Sequence, residues 1–112
     1  MAYDEKLAER VRLELAGEAV TEKKMMGGLC FMVRGHMACG VTAERLMVRV
    51  GPEAHAAALR VKHAAPMDFT GRPMRGFVFV GAAGVATQRG VAAWMERALA
   101  FNSTLPAKGG RR

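Results

Sequence analysis

Residues 25–51 read MMGGLCFMVRGHMACGVTAERLMVRVG, and this stretch decides the fold. Three segments, 29–33, 36–41 and 45–50, read as consecutive β-strands, and the last of them alternates apolar and other residues with the period of a half-buried strand. The dipeptide Arg34-Gly35 separates the first two segments and predicts a two-residue hairpin loop. Glycine suits a type I′ turn here, but arginine would need positive φ, so the turn type stays open. The register set by this turn pairs Val33 with His36, Met32 with Met37, and Cys30 with Cys39.

The sequence before the hairpin predicts a helix and a strand. Residues 4–16 repeat apolar side chains on one helical face, with Asp4 as the N-cap and Gly17 as the stop. Residues 20–25 form a short strand, which Gly27-Gly28 interrupts before the hairpin.

The sequence after the hairpin predicts a helix, two strands and a last helix. Gly51-Pro52-Glu53 opens the first helix, with proline at its first position. Residues 66–69 and 77–80 are strands, and residues 88–104 form the last helix behind Thr87 as N-cap. The order of helix, four strands, helix, two strands and helix predicts an α+β fold. We expect two layers, a mostly antiparallel sheet with helices on one face.

Length and composition are those of one soluble globular domain. The chain has 112 residues, of which 51% are hydrophobic and 24% charged. No apolar run reaches the length of a bilayer span, and the charged N-terminus lacks the apolar core of a signal peptide. We therefore expect a cytoplasmic protein with a domain over residues 1–106 and a disordered basic tail over residues 107–112.

The net charge of +7 is unevenly distributed along the chain. Residues 1–22 hold six acids and three bases, whereas residues 23–112 hold four acids and fourteen bases. This balance permits contact with nucleic acid or with an acidic partner. Five bases are candidates for a basic patch: Lys23, Lys24, Arg34, Arg72 and Arg75. They lack helix-turn-helix spacing, zinc-finger ligands and a stacking platform beyond Phe77 and Phe79. Direct DNA binding is therefore expected to be weak and non-specific, and a solvated basic surface is the alternative.

The alternation also predicts a chemically distinctive sheet face opposite the core. Seven residues of this face are candidates for an interface: Cys30, Met32, Met37, Cys39, Arg45, Met47 and Arg49. Methionine-rich surfaces are adaptable, and exposed apolar patches mark interaction sites, so we expect a partner or a homodimer to bind here. The alternative is that another segment, such as residues 62–76, folds over this face.

Catalytic and cofactor chemistry find little support in the sequence. Neither cysteine has a histidine beside it in the predicted sheet, and Glu53 and Asp68 form no evident acid–base pair. The loop after residue 80 lacks the spacing and the lysine of a P-loop. We expect no enzyme activity, no cofactor and no catalytic or metal-binding residues. The alternative is a small-molecule, metal or thiol-redox domain that uses Cys30 and Cys39, which the predicted register brings together.

The chain resembles the N-terminal domain of the TfoX (Sxy) family over about residues 3–106. The resemblance is carried by MMGGLCFM at 25–32, LMVRVG at 46–51, RPMRGFVFV at 72–80 and WMERAL at 94–99. Met26 departs from the phenylalanine that family members commonly carry. Full regulators of the family have a second, helical domain, and this chain ends before one could begin.

The resemblance implies a regulatory or adaptor role without catalysis. In the family this role is associated with competence genes and with transcription regulation alongside a cyclic-AMP receptor protein. A protein partner of that type is therefore expected for this chain.

Overall fold

The structure is a computed structural model that describes residues 3–25, 27–68 and 73–106. The described residues form three α-helices: α1 (Glu5–Glu14), α2 (His55–Leu59) and α3 (Gln88–Asn102). They form six strands: β1 (Val20–Met25), β2 (Gly28–Val33), β3 (His36–Thr42), β4 (Arg45–Arg49), β5 (Ala64–Asp68) and β6 (Pro73–Val80). A short 3₁₀ helix, Ala82–Val85, precedes α3. The predicted α+β class and element order are confirmed. The predicted tail at residues 107–112 lies outside the described residues.

All six strands belong to one antiparallel sheet in the order β1-β2-β3-β4-β6-β5. The β2–β3 turn takes positive φ at both central residues, 55° at Arg34 and 87° at Gly35. Positive φ at both positions is the geometry of a type I′ turn, which matches the right-handed twist of the two strands. The hairpin is therefore confirmed, and its turn is type I′.

A β-bulge makes the observed register of the hairpin differ from the predicted one. Val33 pairs with His36 and Met32 with Met37, as predicted, but Cys39 pairs with Phe31 and Cys30 with Gly40. Ala38 is the extra residue that produces this shift. Because side chains alternate with a period of two, one inserted residue turns every later side chain to the other face of the sheet.

The main hydrophobic core lies between one face of the sheet and the helices. It takes Leu7, Val11 and Leu15 from the region of α1, and Val91, Trp94, Met95 and Ala98 from α3. The sheet contributes the side chains that alternate toward this layer, among them Phe31, Val48 and Val78. The predicted arrangement of helices on one face follows from this apolar contact.

Two of the three helices begin where their caps predict. The Asp4 carboxylate accepts hydrogen bonds from the backbone N–H groups of Lys6 and Leu7, and Thr87 Oγ1 accepts one from Gly90. The predicted start of the middle helix at Pro52 is wrong. Residues 52–54 form a turn, and α2 begins at His55 without a side-chain cap.

The end of α3 is fastened to the tip of the β2–β3 hairpin. The Arg34 guanidinium donates to the carbonyl of Leu105, and the His36 ring lies 2.7 Å from the carbonyl of Pro106. The buried Asn102 amide donates to the carbonyl of Val33 at 3.0 Å. These contacts join residues about seventy positions apart and hold the helix layer against the sheet.

Candidate functional site

The sheet has a second face, on the side away from the three helices. We call the outward positions of β1–β4 the outer face. Register and alternation assign it these residues: Thr21, Lys23, Met25, Cys30, Met32, Met37, Gly40, Thr42, Arg45, Met47 and Arg49. The outer face contains six of the seven residues predicted as an interface.

Cys39, the seventh, is on the other side of the sheet. Ala38 and Cys39 both belong to the core beneath the helices, and Cys39 Sγ lies 3.6 Å from Met95 Sδ. The prediction that Cys39 shares a face with Cys30 is therefore wrong, and the bulge at Ala38 is the reason.

The separation of the two cysteines also contradicts the shared thiol site considered as an alternative. Cys30 packs in the outer cluster and Cys39 in the helix-side core. Burial raises the pKa of both thiols, so both stay protonated and poorly nucleophilic at neutral pH. Within the described residues, no three His, Cys, Asp or Glu side chains are grouped so that they could hold a metal ion.

The centre of the outer face is buried within the protein. Cys30 and Met47 pack with Met67 of β5 and Phe79 of β6 in a second buried cluster, where Met47 is only 1% exposed. Met74 packs against the edge of this cluster. The described part of the segment 62–76 joins the same sheet as β5 and the first half of β6, so the alternative that it folds over this face stays a prediction. Met47 belongs to the interior of the protein and not to its surface.

The accessible part of the outer face lies over β1, β2 and β3. Met25 is 40% exposed, and Met32 and Met37 are half-buried. Met32 and Met37 are directly opposite each other, and Thr21 continues the same row on β1. Three adaptable thioether side chains are therefore available to solvent on adjacent strands.

Two arginines of β4 stack on aromatic rings at the other side of the outer face. The Arg45 guanidinium carbon lies 3.9 Å from the ring centroid of Phe79. The Arg49 guanidinium carbon lies 5.5 Å from the centroid of Phe77 and 5.3 Å from that of Phe101 on α3. Stacking of this kind fixes the direction of a guanidinium while it keeps its charge.

The outer face has cations and no acids. The structure describes all residues of strands β1–β4, and the one acidic residue among them is Glu22. Glu22 lies opposite Phe31, so its side chain is on the helix side of the sheet. Arg12 of α1 binds the Glu22 carboxylate through two hydrogen bonds of 2.7 and 3.0 Å and also contacts Glu5 and Glu9. This pair lowers the pKa of Glu22 and ties α1 to the edge strand.

The structure does not gather the predicted basic patch in one place. Lys23 is opposite Cys30 on the outer face, whereas Lys24 is opposite Leu29 and points to the helix side. Arg34 is engaged at the hairpin tip, and Arg72 lies outside the described residues. Arg75 is exposed on β6, which four strand spacings, about 19 Å, separate from β1.

A cleft of about 540 Å³ opens where α3 ends beside the connection from β4 to α2. Its lining includes Val50, Gly51, Pro52, Ala54 and Phe101, with Glu53 and Arg97 among the polar residues. Sequence reasoning missed the cleft because it depends on a contact between residues 51 and 101. It holds one charge of each sign and no cluster of nucleophiles.

Comparison with known proteins defines the class to which the chain belongs. The family model described as the TfoX N-terminal domain matches residues 12–102. The chain therefore belongs to the TfoX N-terminal domain family, which is regulatory and not catalytic in type. No match was found among the curated proteins or among the solved structures. In the described part of the chain, no helix combines the length and the apolar character needed to cross a membrane.

Proposed function

We propose that this protein is a regulatory module that recognises a protein partner through the outer face. The observation that carries the proposal is the set of accessible methionines on a sheet face without helices: Met32 and Met37 opposite each other on β2 and β3, and Met25 at the far end of β1. Exposed contiguous apolar surface marks interaction sites, and thioether side chains adapt to the shape of a partner. Membership of the TfoX N-terminal domain family supports a regulatory or adaptor role.

The role extends to transcription. The TfoX resemblance implies regulation of transcription, with competence genes as one set of targets and a transcription factor of the cyclic-AMP receptor type as a partner. The domain acts by contact and not by catalysis, which agrees with two buried, protonated thiols.

Direct contact with DNA has a minor part in this proposal. The bases predicted as a patch are divided between two sheet faces, a hairpin tip and a distant strand, so they offer no continuous track for a phosphate backbone. We expect weak, salt-sensitive binding without sequence preference. A gel-shift titration with a promoter fragment and a scrambled fragment measures it.

Capture of a protein partner from an extract of the source cell tests whether the outer face is the binding surface. The Met25→Gln/Met32→Gln/Met37→Gln variant keeps the side-chain length and adds no charge, and Leu13→Gln on α1 is the control. Leu13 is 68% exposed and lies in the helix layer. The Leu13→Gln substitution therefore removes an exposed apolar side chain from the other side of the molecule. We expect wild type and Leu13→Gln to retain the same protein, and the triple variant to lose it. Equal capture by all three would contradict the assignment of the outer face.

Self-association through the same face stays a prediction. Light scattering at increasing concentration measures it on the wild-type protein and on the triple methionine variant. A dimer that the triple variant loses would make a second copy one occupant of the surface.

A further inference from the structure

We infer that the partner binds the outer face with an acidic segment that also carries apolar side chains. This inference rests on the proposed function and adds the chemistry of the partner to it. The outer face combines two features: accessible methionines on β1–β3, and cations on its two outermost strands, Lys23 on β1 and Arg45 and Arg49 on β4. An acidic segment with apolar residues satisfies both features at once.

Charge complementarity indicates the sign of the partner's charge. Within the described part of the chain, the ion pairs all belong to Arg12, so Lys23, Arg45 and Arg49 have no described carboxylate within 4.0 Å. Glu22, the acid nearest to Lys23 in sequence, is bound by Arg12 on the other side of the sheet. The positive charge of the outer face is therefore not neutralised by β1–β4 themselves, and it attracts an anionic group.

The same charges disfavour a second copy of the chain as the occupant. Two outer faces that meet across a twofold axis bring Lys23, Arg45 and Arg49 together with an identical set of cations. Like charges brought together in an interface cost free energy, so we expect a second copy to bind this face more weakly than an acidic partner does. A partner of opposite charge meets no such repulsion.

The aromatic side chains disfavour single-stranded nucleic acid. Sequence-independent binding of single strands depends on bases that stack on open aromatic rings. Phe79 is only 5% exposed and lies beneath the Arg45 guanidinium, while Phe77 shares Arg49 with Phe101. The accessible side chains are instead methionines, which suit the varied side chains of a peptide.

Adjacent lysines of β1 provide a matched pair of variants. Lys23 and Lys24 are both exposed and differ by one position, but Lys23 is on the outer face and Lys24 on the helix side. Lys23→Glu and Lys24→Glu therefore change the net charge of the protein equally. Only Lys23→Glu reverses a charge on the proposed binding surface.

The test measures fluorescence anisotropy of a labelled peptide built of repeated Glu-Asp-Leu-Gly units. A Lys-Lys-Leu-Gly peptide and a labelled oligo(dT) serve as comparison probes. We expect the acidic peptide to bind the wild type more tightly than either comparison probe. Lys23→Glu should weaken its binding about fivefold or more, and Lys24→Glu by less than about twofold. Lys23→Gln, which removes the charge without reversing it, should give an intermediate loss. Circular dichroism melts identify any variant that fails to fold.

Several results would overturn the inference. Equal affinity for the acidic and basic peptides, equal losses in Lys23→Glu and Lys24→Glu, or tighter binding of oligo(dT) would each do so. A dimer that dissociates in Lys23→Glu would assign the surface to a second copy. If the acidic peptide fails to bind while the triple methionine variant still loses its captured partner, the proposed function stands and the acidic character of the partner is wrong.

Discussion

Gly51→Ala should destabilise the protein much more than Gly17→Ala, although both glycines have left-handed backbone conformations. Their φ angles are +88° and +96°. A Cβ at position 51 would lie 2.3 Å from Cδ1 of Phe101, whereas a Cβ at position 17 meets nothing within 4 Å. The pair therefore separates the cost of the backbone conformation from the cost of the contact with α3.

The magnitude follows from these two terms. An L-residue in the left-handed region costs about 1–2 kcal/mol, which the reduced entropy of the unfolded chain partly offsets. We expect about 1 kcal/mol for Gly17→Ala. Forcing an extra atom into a packed contact costs about 1–3 kcal/mol more, so we expect about 2–4 kcal/mol for Gly51→Ala.

Urea denaturation measures both values, provided that the dependence of the unfolding free energy on urea is unchanged. In a Phe101→Ala background the ring is absent, and the penalty of Gly51→Ala should fall to that of Gly17→Ala. A Cβ at 2.3 Å from the Phe101 ring is far inside van der Waals contact. A difference between Gly51→Ala and Gly17→Ala below about 0.5 kcal/mol in the wild-type background would therefore show that this contact adds no cost.

Three further predictions follow from the core, the ion pair and a helix cap. In urea denaturation, Met47→Ala should lower the free energy of unfolding by about 2–5 kcal/mol and Met32→Ala by less than about 1 kcal/mol, because only Met47 is fully buried. Similar losses in the two variants would contradict the burial of Met47 in the second cluster. In the folded protein the pKa of Glu22 lies below its ordinary value of 4.5. The stabilisation that the ionised carboxylate gives to the folded state is therefore complete above pH 4.5, and it is lost as the pH falls through the pKa of the folded state. Arg12→Gln should lower the free energy of unfolding at pH 7 by up to about 1 kcal/mol and should reduce the loss of stability in acid, which thermal melts across pH measure. An unchanged dependence of stability on acid pH would show that the Arg12–Glu22 pair does not cause that loss. Thr87→Ala should lower stability by about 1 kcal/mol by calorimetry, since Thr87 Oγ1 caps α3, and no loss would argue against the cap.

The sequence predicted those parts of the fold that depend on local chemistry. The Asp4 and Thr87 caps located the starts of α1 and α3, and Arg34-Gly35 located the hairpin. Each signal lies within a few residues of the structure that it determines. Pro52 was misleading because residues 52–54 complete a turn before α2 begins.

The candidate site was harder to predict, because its errors come from one inserted residue and from distant contacts. Strict alternation cannot show that Ala38 is an extra residue, so Cys39 was assigned to the wrong face. The burial of Met47 in one cluster with Met67 and Phe79 depends on the strand order β4-β6-β5, which local patterns do not specify. The contacts of Arg34 with Leu105 and of Gly51 with Phe101 are equally remote in sequence.

We expect the outer face, and not the helix layer, to carry the regulatory activity. RNA sequencing of source cells that lack the native protein and express the wild type, the Met25→Gln/Met32→Gln/Met37→Gln variant or Leu13→Gln tests it most directly, with equal protein levels verified by immunoblot. We expect the wild type and Leu13→Gln to restore the same set of transcripts, and the triple methionine variant to leave them as in the deletion strain. Full restoration by the triple variant, or loss of restoration in Leu13→Gln alone, would show that the regulatory activity does not lie on the outer face.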